Sequence, residues 1–268
     1  MLAELIKIHT EDGLSHFGAI YQAPNEKIKK FGVVLVHGMT GHFIGEVESA
    51  LPPALAQAGY TCLVANNRGC NFMGAATEKF AGCLPDIQAS IDGLAEGGYD
   101  HIALLGHSKG GVKVAYYMAK RHDPRVIALG VLSPAENVHR IGFWEWFAKP
   151  GQSRQEFLQA AQELVEQGKG ETIFTSSVWP YIVSAGTVVE HAKTRGDDVL
   201  KNIKGLTIPV LAMCGELETE WCTVVTTLLK KPPEGYQVEV VPGADHVYAG
   251  RETELGKVVI GWLDKTVH

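Results

Sequence analysis

Gly106-His107-Ser108-Lys109-Gly110 sets a serine midway between two glycines. Residues 102–105 before it read as a strand and residues 112–119 after it as a helix. A serine at a tight strand-to-helix turn has its Oγ held clear of the backbone. The following helix points its N-terminus, with partial positive charge, at the same spot. Small residues must flank such a turn because it presses backbone against backbone. The chemistry implied is nucleophilic attack on a carbonyl, with the amide of Lys109 available to hold the oxyanion. A hydroxyl is a weak nucleophile, so a base must take its proton and a further group must orient that base. Of the 11 histidines, His246 stands out, because Pro242-Gly-Ala-Asp-His246 directly follows a strand-like run at 237–241. Three acids, Glu216, Glu218 and Glu220, follow another strand-like run at 208–214 and Gly215. Each is a candidate orienting acid. His37 and His42 are close in sequence, but no convergent carboxylate accompanies them, so neither a metal nor any other cofactor is expected.

These groups can meet only if several elements bring them to one edge of a sheet. Residues 2–9 and 16–21 read as strands joined by the turn dipeptide Asp12-Gly13. Residues 31–37 form a short, continuous, β-branched run, the pattern of a strand buried on both faces. A regular alternation then begins. Residues 46–59 fit a helix with Pro52 and Pro53 in its first turn, and 60–66 a strand. Residues 83–97 fit a helix, 101–106 a strand, 108–121 a helix and 126–132 a strand. Such alternation predicts a mostly parallel sheet with right-handed crossovers and helices on both faces.

From 136 to 205 the rhythm breaks for far longer than an ordinary connection. That segment reads as helical, with 152–168 its clearest piece, and it carries Phe143, Trp144, Trp146, Phe147, Trp179 and Tyr181. Strand texture returns at 208–214 and 237–241, and an amphipathic helix follows at 252–265. The expected organisation is an α/β core domain of residues 1–135 and 206–268, interrupted by a helical cap of residues 136–205.

With 268 residues and 46% hydrophobic side chains, the chain can bury a sizeable core. A net charge of −6 without a basic cluster argues against a nucleic-acid partner. No run approaches the roughly 20 apolar residues that span a bilayer, so no membrane partner is expected. The first residues lack a basic n-region, and the five cysteines form neither a CxxC pair nor a disulfide framework. A cytoplasmic location is the expectation.

Together these residues resemble the α/β-hydrolase superfamily, and within it the serine esterase and lipase-like branch. The likeness runs over nearly the whole chain apart from the middle insertion. It implies the order nucleophile, acid, histidine along the chain, hence Ser108, then an acid after 208–214, then His246. The superfamily commonly places its acid three residues past the glycine, which points to Glu218, with Glu216 second and Glu220 third. Aspartate is commoner at that position, so glutamate is a departure. His37-Gly38-Met39 matches the loop that supplies the first oxyanion donor, the amide of Met39, with Lys109 the second. Asn67-Arg68-Gly69 resembles a turn in which the arginine is structural.

The resemblance implies a two-step cleavage of a carboxylic ester, through an acyl-enzyme on Ser108. An aromatic cap over Ser108 suits a hydrophobic, aromatic or lactone-type small-molecule ester, with Phe143, Trp144, Trp146, Trp179 and Tyr181 as pocket candidates. The same rings could instead pack the cap onto the sheet, or form a homodimer contact. A serine at position 108 also leaves open carbon–carbon bond hydrolysis and acyl transfer. For the former, His139, Arg140 and Arg154 are the cap cations that could meet a substrate carboxylate. A non-catalytic binding protein of this fold is the remaining alternative, and it typically lacks the serine or the histidine.

Overall fold

The computed structural model describes residues 2–24, 26, 28–135, 143–177, 181–193 and 198–266. An eight-stranded sheet runs through the molecule in the order β1-β2-β4-β3-β5-β6-β9-β10. The strands are β1 (Glu4–His9), β2 (Ser15–Tyr21), β3 (Gly32–Val36), β4 (Thr61–Ala65), β5 (Ile102–His107), β6 (Val126–Leu132), β9 (Val210–Gly215) and β10 (Tyr236–Val241). β1 and β2 pair antiparallel, as does β2 with β4, and every later pairing in this sheet is parallel. The remaining strands, β7 (Ile173–Thr175) and β8 (Ile182–Ser184), form a separate antiparallel pair.

Helices cover both faces, as a parallel sheet requires. Val33 and Leu35 of β3 pack with Leu51 and Leu55 of α1 (Glu46–Gln57) and Val259 and Leu263 of α10 (Glu252–Thr266). Val34 and Val36 point the other way, into a cluster with α3 (Cys83–Glu96), α4 (Lys109–Arg121) and α9 (Thr223–Lys230). This alternation explains why β3, β4 and β5 read as continuous apolar runs: all their residues are buried. Helix α2 (Asn71–Thr77) lies between β4 and α3.

Pro52 and Pro53 lie in the middle of α1, not in its first turn. Each removes one i→i−4 bond, and burial of Val47, Leu51, Pro52 and Leu55 against the sheet holds the helix together instead.

Between β6 and β9 stand α5 (Phe143–Phe147), α6 (Arg154–Glu166), the β7–β8 hairpin, α7 (Ala185–Lys193) and α8 (Val199–Ile203). A capping box starts α6: the Glu156 amide donates to Ser153 Oγ, and the Ser153 amide donates to Glu156 Oε2. Phe147, Phe157, Ala161, Val183, Ala185, Val188 and Val189 make a small core of their own. Val199 and Ile203 of α8 pack instead with the main sheet core. Among the described residues no helix is long and apolar enough to cross a membrane.

Candidate active site

The C-terminal ends of β5, β9 and β10 meet at one edge of the sheet, and each delivers one polar side chain. Ser108 follows β5 with φ 57° and ψ −123°, a conformation few residues adopt without glycine's freedom. The flanking glycines make this turn sterically possible. A Cβ on Gly106 would lie 2.3 Å from the Gly110 carbonyl oxygen, and one on Gly110 would lie 2.1 Å from that of Val36. The Ser108 amide donates to the Leu132 carbonyl at 2.9 Å, so the turn is sewn to the neighbouring strand.

His246 Nε2 lies 2.9 Å from Ser108 Oγ, and His246 Nδ1 lies 2.7 Å from Glu218 Oε2. The three residues form one hydrogen-bonded line across 138 positions of sequence. Glu218 ends a single 3₁₀ turn, Glu216–Glu218, that follows β9, and its side chain is buried. Oε1 of the same carboxylate accepts from the Gly215 amide at 2.8 Å and from the Ser133 hydroxyl. Burial alone would raise the Glu218 pKa, but the bonds from His246, Ser133 and the Gly215 amide outweigh it and hold the carboxyl below its ordinary value. Glu218 is therefore the ionised partner of an imidazole whose Nδ1 carries hydrogen.

Glu216 is exposed and accepts from the Gly243 amide at 2.8 Å, so it ties the acid loop to the histidine loop without reaching the ring. Glu220 is also exposed. Gly215 permits the two loops to close up, because a Cβ there would meet the Ala244 carbonyl oxygen at 2.4 Å. Beyond the ring, Asp245 Oδ1 accepts from the amides of Val247 and Ala249 and fixes the loop.

Five further residues surround the line. Ser133, itself at φ 47°, shares a 2.9 Å hydrogen bond with the hydroxyl of Tyr248, which is fully buried. His107 Nε2 donates to the His246 carbonyl at 2.8 Å, and the two rings lie 5.1 Å apart. Glu48 of α1 stands behind, with Oε1 at 3.9 Å from His107 Nδ1. Trp221 is 40% exposed and its ring lies 5.0 Å from that of His246, so it forms part of the rim. No regular spacing marks these residues: Glu48 comes from α1, Ser133 from the loop after β6, His107 from the end of β5, and Tyr248 and Trp221 from the loops of His246 and Glu218. The serine directly after β6 and the tryptophan three places past Glu218 are the nearest to a signal.

Met39 lies on the loop after β3. Gly38, just before it, comes so near the serine that a Cβ on it would lie 2.9 Å from Ser108 Cβ. Lys109 opens the 13-residue helix α4, immediately after Ser108. Its side chain points away into the interior, to Glu78. Of the pocket candidates, Trp146 and Tyr181 are half-buried and stack at 5.2 Å, and Tyr181 meets Phe72 of α2 edge-on at 5.8 Å. Asn71, beside Phe72, donates its amide to the Gly41 carbonyl at 3.2 Å, so this aromatic row begins next to the loop that carries Met39. Trp144 is half-buried against the small core that holds Phe147 and Phe157. Trp179 and the Phe143 side chain lie outside the described residues, as do His139 and Arg140. Arg154 opens α6.

His37 is buried, and both its ring nitrogens are engaged, with the Asn67 amide and the Gly38 carbonyl. Among the described residues no group of three His, Cys, Asp or Glu side chains converges as a metal site would need. Arg68 has a structural environment: its guanidinium donates to Asp86, and an ion pair joins it to Asp12.

Residues 33–172, more than half of the sequence, match the family described as the alpha/beta hydrolase fold. The chain belongs to the α/β-hydrolase family. Solved structures of the same fold match nearly end to end. Est1E from Butyrivibrio proteoclasticus is similar at 19% identity with a TM-score of 0.72, each chain covered to 98%. An esterase domain from a Rhodothermus marinus protein is 16% identical, with a TM-score of 0.66 and full coverage of both chains. A soluble variant of monoglyceride lipase from Saccharomyces cerevisiae is 13% identical, with a TM-score of 0.68, over 100% of this chain and 97% of that one. No curated protein sequence matches this α/β hydrolase.

Proposed function

We propose that this α/β hydrolase cleaves carboxylic esters of hydrophobic or aromatic small molecules, lactones included, through an acyl-enzyme on Ser108. The observation that carries this reading is the unbroken line from Ser108 Oγ through His246 to the buried carboxylate of Glu218. His246 Nε2 takes the serine proton as Oγ attacks the carbonyl carbon. The amides of Met39 and Lys109 receive the oxyanion, and the N-terminus of α4 adds favourable potential. His246 then gives its proton to the leaving alcohol. Water repeats the cycle on the acyl-enzyme, and Oγ recovers its proton. Glu218 stays ionised throughout and keeps Nδ1 protonated. The aromatic row of Phe72, Tyr181 and Trp146 supports a flat or hydrophobic acyl or alcohol group. A structure similar to this one, that of Est1E, holds ferulic acid, which makes feruloyl esters suitable probes.

The test is hydrolysis of a p-nitrophenyl ester chain-length series and of methyl ferulate by wild type and Ser108→Ala. A burst of nitrophenol followed by turnover, both lost in Ser108→Ala, is the expected result. Equal or absent hydrolysis in both proteins overturns the ester reading.

A further inference from the structure

Beneath the serine turn lies a group of buried charges that the proposed chemistry leaves unused. Glu78, the residue just past α2, is 2% exposed, Lys109 3% and Lys113 0%. Lys109 Nζ donates to Glu78 Oε2 at 2.7 Å, and Lys113 Nζ forms an ion pair with Glu78 Oε1 at 2.5 Å. Lys113 Nζ also donates to Asn67 Oδ1 at 2.9 Å, an oxygen that accepts from the Gly69 amide as well. The Asn67 amide donates to His37 Nε2 at 3.0 Å, and His37 Nδ1 donates to the Gly38 carbonyl at 2.8 Å. Gly38 precedes Met39, and Lys109 follows Ser108. The path begins at one candidate oxyanion donor and ends beside the other.

Stability alone does not account for this cluster. Removing three charges from water costs about as much as their attraction returns, and apolar side chains of similar volume would pack as well. What charges provide here is fixed direction. Burial alone would raise the Glu78 pKa, but the two ammoniums outweigh it and hold the carboxyl well below the usual carboxylate range. Burial pulls the His37 ring down to about 3, so it is neutral, with one nitrogen donating and the other accepting. Gly69 leaves room for the carboxylate, since a Cβ there would lie 2.5 Å from Glu78 Oε2. The loop it helps to hold is under strain: Thr40, next to Met39, has φ 59°, and such a conformation persists only where its surroundings impose it.

We propose that Glu78 is a positioning residue for the oxyanion hole. Through Lys109 on one side and through Lys113, Asn67 and His37 on the other, it keeps the Lys109 and Met39 amides at a fixed separation. This rests on the ester-hydrolase reading of Ser108. A field effect and a positioning effect have opposite signs here. Removing the carboxylate leaves two ammoniums whose charge by itself favours an oxyanion, so a slower enzyme reads geometry.

The experiment compares wild type, Glu78→Gln and Glu78→Asp on a p-nitrophenyl ester, with active sites counted by fluorophosphonate labelling taken to completion. Expected for Glu78→Gln is a kcat per labelled serine lower by roughly 10- to 100-fold, since a fully lost oxyanion donor costs about 100- to 1,000-fold. KM should stay nearly constant, a trifluoromethyl ketone should bind more weakly in the same proportion, and Glu78→Asp should recover part of both. A merely structural role would lower the number of labelled sites and leave kcat per site unchanged. That outcome overturns the proposal. Should Glu78→Gln not fold, Asn67→Ala retains all three charges and cuts the path at its middle; the same fall supports the proposal and an unchanged kcat per site refutes it. If wild type itself shows no Ser108-dependent turnover, the ester reading fails and this inference with it. If wild type turns over normally and the variants match it, this inference alone fails.

Discussion

Glu48→Gln should make stability less dependent on pH, and the size of the effect follows from where Glu48 sits. The residue is 3% exposed, and its Oε1 has no hydrogen-bond partner. Burial is the chief cause, with nearby Glu46 adding a little, of a carboxyl pushed up from 4.5 to about 7. The native state therefore keeps a proton that the unfolded chain releases from about pH 4.5 upward. Where the native state binds more protons than the unfolded one, stability falls as pH rises. The loss is complete above about pH 7, where both states are ionised. Each pKa unit of difference corresponds to about 1.4 kcal/mol, so the full loss comes to about 3 kcal/mol. Glutamine has nearly the same shape and cannot ionise. His37 and His107 run the other way: burial lowers them to about 3 and about 4, so each destabilises the fold below its ordinary pKa of 6.5. Both histidines remain in the variant, and their contribution cancels on subtraction.

The stability gap between Glu48→Gln and wild type should thus widen from about 1 kcal/mol at pH 5 to about 3 kcal/mol at pH 8. For a chain of this size that widening moves the relative midpoint of thermal unfolding by roughly 4–8 °C. Any constant offset from the new amide is removed by comparing the two pH values. Thermal melts at pH 5 and pH 8 measure it directly. A gap that stays the same at both would refute the argument that the native state holds the Glu48 proton up to about pH 7.

Other consequences of the site can be checked by substitution. Glu218→Gln should lower kcat by roughly 1,000- to 10,000-fold, because an amide fixes the imidazole in the wrong tautomer, whereas Glu216→Ala, on an exposed side chain, should leave kcat unchanged; steady-state kinetics on one ester separates them. Gly110→Ala, with its Cβ 2.1 Å from the Val36 oxygen, should cost more than about 4 kcal/mol and give little soluble protein, as read by circular dichroism and yield. Trp221→Ala should raise KM for aryl esters by roughly fivefold, equivalent to about 1 kcal/mol of ring contact, while KM for acetate esters stays the same.

The sequence made the sheet legible because its signals are local. Continuous apolar runs such as 32–36 and 61–65 lie between two helical layers and need no partner to be recognised. Ser108 and its glycines were legible for the same reason, since the clash each Cβ would cause arises within a few residues or against the adjoining strand. Short elements gave no periodic signal. Helix α2, Asn71–Thr77, contains a glycine and two alanines, and β7 and β8 span three residues each. A local reading puts Pro52 and Pro53 in the first turn of their helix because proline's cost to a helix interior is visible locally, while the burial that offsets it is tertiary. The choice among Glu216, Glu218 and Glu220 depends on one 3₁₀ turn, which turns the third residue past β9 inward and the first outward. Ser133 approaches the line from the loop after β6, while Tyr248 shares the loop of His246 and Trp221 that of Glu218, and no regular period marks any of the three.

The aromatic residues of the insertion show where local reading stops and packing takes over. Phe147 and Phe157 are buried and form the insertion's own core, whereas Trp146 and Tyr181 stay half-exposed and join Phe72. One segment thus holds both rings buried in its own core and rings that keep exposed surface, and composition cannot separate them. Burial can. A ring already removed from water in the insertion's own core has no apolar surface left to cover, while Trp146, Tyr181, Phe72 and the 40% exposed Trp221 still do. Substitutions at Phe147 or Phe157 should therefore act through stability. Those at Phe72 and Tyr181 should act through substrate preference, with Tm nearly unchanged. If Phe72→Ala and Tyr181→Ala leave the chain-length and aryl-ester preferences of the enzyme as they are, the aromatic row is a packing feature and the acyl or alcohol group of the substrate lies elsewhere.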